Sequence, residues 1–267
     1  MGPTATEEDL ATDLRSVVVM NDWGLPASLV GRVAALGRPT FGWIEGVQDF
    51  DDVDTGRSRR PYRHVDHVFA LGRYGEARLD GCSVTITGSS RLRDLWFADP
   101  GSWSTPHATV NSNFTYGVLT EHRRAWVASV ASACRSAGMS WSLSRHTAER
   151  GTSAPHRSDR RPISELLSSS SHFVGRFSTV CYEALVRGLE VAYHNPHGEA
   201  EPTFSAPNGA FALTTNSEEL GAVLSGQPRQ RSEVRAAATD FLTHHLRLDP
   251  GPSPAELAAD EIVSRLR

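Results

Sequence analysis

Short apolar runs alternate along the chain with longer stretches whose apolar residues recur at helical spacing. Residues 16–21 (SVVVMN) predict a buried strand, 26–36 a helix stopped by Gly37, and 39–45 (PTFGWIE) a second strand. Residues 65–71 and 82–87 predict two further strands, closed by Gly72 and Gly88. Residues 50–63, rich in Asp and Arg, predict a surface loop. Residues 96–106 (WFADPGSWSTP) combine two prolines, a glycine and three hydroxyl residues, the composition of a linker between lobes. Beyond it come a strand at 107–113 and a helix at 121–137, with Trp126, Val127, Val130 and Cys134 on one face and Gly138 at its end. A strand at 141–144, a loop at 146–159, a helix from 163 to 167 and a strand at 173–174 follow. Then a helix at 178–187 ends at Gly188, strands lie at 189–193 and 211–214, and helices at 234–246 and 254–266 complete the pattern. Ser253 and Pro254 suit an N-cap and first helical position. Such alternation in both halves predicts two Rossmann-like α/β lobes with mainly parallel sheets. We expect lobes at 1–100 and 101–240, with residues 241–267 packing back toward the first.

Composition narrows the classes of function. Of 267 residues, 39% are hydrophobic and 22% charged, as in a folded globular protein. The formal charge of −4 argues against nucleic acid as a partner, since that needs a basic surface. No run approaches the ~18 apolar residues of a membrane span, and the acidic start lacks a signal peptide's pattern. Cys82, Cys134 and Cys181 are odd in number and without a CxxC pair, which points to a reduced, cytoplasmic protein with no zinc site. All 27 basic residues are arginine. Without lysine there is no phosphate-loop lysine and no Schiff base, so bound anions must rest on Arg, His, hydroxyls, backbone N–H groups or a metal.

The most informative stretch is 166–196, LLSSSSHFVGRFSTVCYEALVRGLEVAYHNP. Ser178 and Thr179 open a helix there. Hydroxyls beside the free N–H groups of a helix start suit a phosphate. Glu183, about one turn on, suits a ribose diol. Plain structural roles fit the same residues: Ser178 as N-cap and Glu183 as a solvated charge. Asn111 and Asn113, two apart at a strand end, share one face. His244 and His245 point about 100° apart on a helix and do not share a metal. Asp51, Asp52 and Asp54 lack calcium-loop spacing, and the Arg59–His67 run reads as a solvated loop.

The segment FSTVCYEALVRGLEVAYHN resembles the C-terminal nucleotide-sugar motif of GT-B glycosyltransferases and the related nucleotide-sugar 2-epimerases. It carries Ser178, Thr179, Glu183-Ala184, Gly188 and Val191, and departs at Glu190, where the family usually has proline. Residues 38–46 (RPTFGWIEG), VDHVFALG and VTITGSSRL resemble the later part of the family's N-terminal lobe. That lobe normally has more strands before residue 16, so the resemblance implies an incomplete first lobe, a shortened member, or a partner chain that completes it. Transferases of the capsule type carry an acidic-Gly pair that supplies a general base and a His-Pro pair that binds phosphate. The corresponding residues are Glu45-Gly46 and His146, with Thr147 in place of proline. The resemblance implies catalytic roles for Glu45 and His146. It implies nucleotide or phosphate contacts for Arg145, Ser170, Arg176, Ser178, Thr179 and Glu183. It implies no metal and no cofactor, a nucleotide-sugar donor, and a glycan or lipid-linked acceptor with peripheral membrane association. Three readings follow: a metal-independent glycosyltransferase in surface-polysaccharide or glycoconjugate synthesis, a nucleotide-sugar 2-epimerase, or an inactive protein that binds a sugar nucleotide or a partner.

Overall fold

The computed structural model describes residues 13–267 except 23, 48–49, 53–56, 60–61, 80, 104, 116, 147–148, 150–155 and 157. The chain begins with β1 (Val17–Val19), α1 (Leu25–Ala35) and β2 (Thr40–Trp43). Pro26 suits the first turn of α1, and Gly37 (φ 69°) releases the chain at its end. Two short strands, β3 (Phe50–Asp52) and β4 (Arg57–Arg59), pair with each other, so the expected loop at 50–63 contains a small ladder. There follow β5 (His67–Ala70), α2 (Arg73–Glu76), β6 (Ser83–Ile86) and α3 (Ser90–Phe97). Trp96 and Phe97 thus end a helix, and the linker composition begins only after them.

The chain divides into two units, one of Met1–Phe50, Ser58–Arg93 and Thr243–Arg267, the other of Asp51–Arg57 and Asp94–Leu242. The first is built on a four-stranded sheet, β1-β2-β5-β6, parallel throughout. All four residues of β5 are buried, the continuous apolar pattern of a strand covered on both faces. Phe41 and Phe69 stack at 5.6 Å on adjacent strands, and Ala258 and Ile262 of the last helix pack against them.

The second unit contains β7 (His107–Asn111), α4 (Arg123–Ser136), β8 (Ser140–Ser144), α5 (Ile163–Ser169), β9 (His172–Gly175), α6 (Val180–Val186), β10 (Glu190–His194), β11 (Ala212–Thr214) and α7 (Ser217–Ser225). Its sheet runs β11-β10-β9-β7-β8, again all parallel. Ala108, Val110, Val174 and Ala192 face Trp126, Val127 and Val130 of α4 and Leu220 and Leu224 of α7 in one core. The sequence pattern did not predict α7, although Asn216 caps it by accepting hydrogen bonds from the Glu218 and Glu219 N–H groups. Last come α8 (Arg231–His245) and α9 (Pro254–Arg265), the latter opened by a capping box of Ser253 and Glu256.

One device recurs in both sheets. His67 opens β5, and its ring nitrogens lie 2.6 Å from Ser83 Oγ and 3.1 Å from Thr85 Oγ1 on β6. His107 opens β7, with Ser140 Oγ at 2.9 Å and Ser142 Oγ at 3.2 Å on β8. Residues two apart on a strand share a face, so one imidazole spans two hydroxyls. Among the described residues, no helix is long and apolar enough to cross a membrane.

Candidate functional site

In the five-stranded sheet the chain runs from β7 outward to β8, then returns to the other side of β7 to build β9, β10 and β11. The strand order reverses between β7 and β9. In parallel α/β sheets the crevice beyond the carboxyl ends of the strands at such a reversal is where ligands bind. Here that rim is formed by Asn111–Phe114 and by Gly175–Thr179.

The rim is strained and tightly braced. Asn113 (φ 37°) and Phe177 (φ 22°) both adopt positive φ, uncommon for residues with side chains. The Asn113 side-chain amide donates to the Phe177 carbonyl. The Phe177 N–H donates to the Tyr193 hydroxyl at 3.2 Å, and that hydroxyl donates to Glu199 Oε2 at 3.4 Å. Burial and the Glu199 carboxylate push the Tyr193 phenol pKa up, so it stays protonated as this donor. Arg176, 2% exposed, closes the circuit. Its Nη1 donates to the Asn113 carbonyl at 2.9 Å, its Nε donates to Glu199 Oε2 at 3.1 Å, and its Nη2 pairs with Glu199 Oε1. The guanidinium also lies 4.2 Å from the centre of the Phe114 ring, in cation–π contact. Backbone strain persists only where the surroundings over-determine it, and this circuit does so. Beside it, Asn111 is 5% exposed and its Oδ1 has no hydrogen-bond partner.

Ser178 and Thr179 follow directly. Ser178 Oγ accepts from the Val180 N–H at 3.2 Å, and Thr179 stands at the N-cap position of α6. The helix begins two residues later than the sequence pattern predicts and has only 7 residues. Glu183 is fully buried rather than solvated, and its Oε1 accepts from Arg187 Nε and Nη2, each at 3.1 Å. Burial lifts the Cys181 thiol pKa to about 12, which leaves it unreactive.

Ser170 does not join this group. It precedes β9, at the opposite end of the strand, roughly 16 Å along the chain direction from Gly175 at ~3.3 Å per residue. Its hydroxyl donates to the Leu166 carbonyl at 2.9 Å and so must accept from Thr109 Oγ1 at 2.7 Å, since a hydroxyl has one proton. Its carbonyl accepts from Arg231 at 3.0 Å.

Beyond the end of β8 lie Arg145 and His146. Thr147 lies outside the described residues. The Glu149 carboxylate is buried; both its oxygens accept from Ser112 Oγ, at 3.1 and 2.9 Å, and Arg123 Nε pairs with it. Arg145 Nε is 4.0 Å from the same carboxylate and its Nη2 donates to the Glu149 carbonyl at 2.9 Å. Arg145 and Arg176, expected as phosphate ligands, therefore each face a carboxylate already. Packing around His146 lowers its pKa more than Glu149 raises it.

The sequence reading missed Glu149, Glu199 and a histidine pair. His122, at the start of α4, stacks on His197, beyond the end of β10, with ring centres 4.2 Å apart. The signal for Glu199 was the Asn-Pro-His-Gly-Glu turn: Asn195 Nδ2 donates to the Glu199 carbonyl at 2.8 Å, and the Glu199 N–H donates to Asn195 Oδ1 at 2.7 Å. Glu45 belongs to the other unit. It lies two residues beyond β2, exposed, just after Ile44 extends the pairing by donating to the Phe69 carbonyl at 3.0 Å.

Two units, each on an all-parallel sheet with connecting helices, define a two-lobe Rossmann-like α/β protein. The sequence matches no family model and no curated protein. The structure is similar to that of a UDP-GlcNAc 2-epimerase from Neisseria meningitidis (TM-score 0.58, 11% identity, 99% of this chain and 84% of that one). It is similar also to the spinosyn forosaminyltransferase SpnP (TM-score 0.55, 13% identity, 97% and 80%) and to the wall teichoic acid polymerase TagF (TM-score 0.55, 11% identity, 97% and 75%). The chain has the fold that GT-B glycosyltransferases share with the nucleotide-sugar 2-epimerases.

Proposed function

We propose that this chain binds a nucleotide-activated sugar at the β7/β9 rim and transfers the sugar to an acceptor, as a metal-independent glycosyltransferase. The observation that carries the reading is the braced, strained rim at the one point where the strand order of the five-stranded sheet reverses. A ligand approaching there meets Ser178, Thr179 and the turn of Asn113. Preorganised dipoles of this kind stabilise the charge that grows on a leaving phosphate without having to reorganise. Ser178 and Thr179 act as phosphate contacts, and His146, just beyond β8, as a further group for the donor. Arg176 and Arg145 act through their carboxylate partners by fixing the loops. Glu183 sets α6 through Arg187 and lies beneath the phosphate contacts. Glu45, exposed just beyond β2 in the first unit, has the carboxylate chemistry of a general base. The acceptor class is a surface glycan or glycoconjugate.

A thermal-shift panel of UDP, CDP, CMP and GDP sugars tests this reading. A donor at about 100 times its dissociation constant adds about 2.7 kcal/mol to the folded state. The donor that binds is then incubated with the protein and followed by NMR. Loss of the sugar from the nucleotide supports transfer, inversion at C2 points to epimerisation, and no shift with any donor removes both.

A further inference from the structure

The pyrophosphate of a nucleotide sugar carries charge that the rim must meet, yet three arginines there are already matched. Arg123 and Arg145 face Glu149, and Arg176 is gripped by Glu199. The chain has no lysine. Among the described residues, this edge of the sheet also carries the stacked pair His122–His197. The His122 side chain is 42% exposed, and its Nε2 lies 3.5 Å from Glu121 Oε1. His197 is half-buried, and its Nε2 is a buried atom with no hydrogen-bond partner. His197 sits in the Asn195–Glu199 turn that grips Arg176, two residues before Ser178.

We propose that the His122–His197 pair is a proton-operated anion seat, which takes up one proton as the pyrophosphate of a nucleotide sugar docks at the β7/β9 rim. This rests on the nucleotide-sugar reading above and adds to it where the positive charge comes from. The groups around His197 hold it neutral when the site is empty. Burial, the neighbouring His122 ring and the Arg176 guanidinium all lower the His197 pKa, and Glu121 opposes them only weakly. A second proton on the pair would place two cations in stacked contact. His194 lies in the adjoining strand, but both its ring nitrogens are occupied, by Thr214 and Ser129, so it takes no part. Glu199 is committed to Arg176. An arriving dianion reverses the balance: one imidazolium then faces a phosphate on one side and a neutral π-face on the other. The buried Nε2 of His197 becomes a donor with an acceptor to meet.

The test is donor affinity as a function of pH. A phosphate monoester titrates near pH 6 and would mask the effect. The probes are therefore pyrophosphate diesters: UDP-N-acetylglucosamine, UDP-glucose, GDP-mannose and dTDP-glucose. Calorimetry at about pH 8 and about pH 6, in buffers of different ionisation enthalpy, gives both the affinity and the protons taken up. The expectation is about tenfold tighter binding at the lower pH with uptake of about one proton, a unit change in bound protons corresponding to at most tenfold per pH unit. Both effects should disappear in His197→Gln and in His122→Gln. The exposed His122 ring keeps the test informative should the His197 variant fold poorly. Equal affinity at the two pH values in the wild type overturns the seat and leaves the nucleotide-sugar reading intact. A pH dependence that survives in a folded His122→Gln protein also overturns it. If no donor binds at either pH, both readings fall.

Discussion

Acid should destabilise the second unit, most measurably through His194. This side chain is fully buried at the end of β10, with Nδ1 2.9 Å from Thr214 Oγ1 and Nε2 2.9 Å from Ser129 Oγ. Burial pulls its pKa from 6.5 down to about 4. The unfolded chain therefore binds a proton at this position more readily than the folded one. The sign follows: stability is intact above pH 6.5 and is lost as pH falls toward the folded-state value. With these two values, the loss relative to neutral pH is about 2 kcal/mol at about pH 5 and about 3 kcal/mol at about pH 4. Urea unfolding of the wild type and of His194→Gln at about pH 7 and about pH 5 isolates it. The other histidines with lowered pKa, such as His172, contribute equally to both proteins and cancel in the comparison. The variant should lose roughly 2 kcal/mol less than the wild type across that interval. Equal losses would show that His194 titrates normally and that its buried, doubly bonded environment does not govern its charge. NMR titration of the imidazole gives a second check, since its shifts should stay neutral-like well below pH 6.

Three further outcomes follow from the same geometry. Gly188→Ala should cost at least about 2 kcal/mol, because φ is 74° and an added Cβ would lie 2.3 Å from the Arg231 carbonyl oxygen; chemical denaturation measures it. Glu199→Gln leaves the buried Arg176 charge without its partner and should destabilise the unit by about 3–5 kcal/mol, with loss of the Asn113–Phe177 turn seen as faster amide exchange there. Ser178→Ala should weaken nucleotide-sugar binding by about threefold to tenfold, in line with one hydrogen bond at about 1 kcal/mol, and leave the melting temperature nearly unchanged; unaltered affinity by calorimetry would place the phosphate elsewhere.

The parts of this fold that were legible in the sequence are those with a local signature. Gly37 and Gly138 mark helix ends, Ser253-Pro254 marks a helix start, and the VFAL and FVG runs mark buried parallel strands. Placement at the rim was legible for Ser178 and Thr179, next to a strand and a helix start, and for Asn111 and Asn113 at a strand end. What was hidden depends on distant pairing. Arg176 meets Glu199 across 23 positions, and Arg123 meets Glu149 across 26. Nothing in the local sequence says which carboxylate an arginine will find. The strand reversal between β7 and β9 is likewise a property of topology. Ser170 misled because a run of four serines looks like one polar surface, yet it straddles a helix end and a strand start, with Ser170 and Ser171 turned into the core.

The histidine that spans two hydroxyls at the start of β5, and again at the start of β7, makes neighbouring strands energetically inseparable. Replacing His67 alone by an apolar ring strands the Thr85 hydroxyl, while Ser83 keeps the Asp66 carbonyl and Arg265; replacing Thr85 alone strands the imidazole Nε2. Only a joint exchange of His67 and Thr85 for apolar residues avoids an orphaned polar group. Substitutions across β5 and β6, or across β7 and β8, should therefore be strongly non-additive. The buried histidine and its inner hydroxyl are expected to change together as the sequence drifts, and a screen of single substitutions would overlook the tolerated joint exchange.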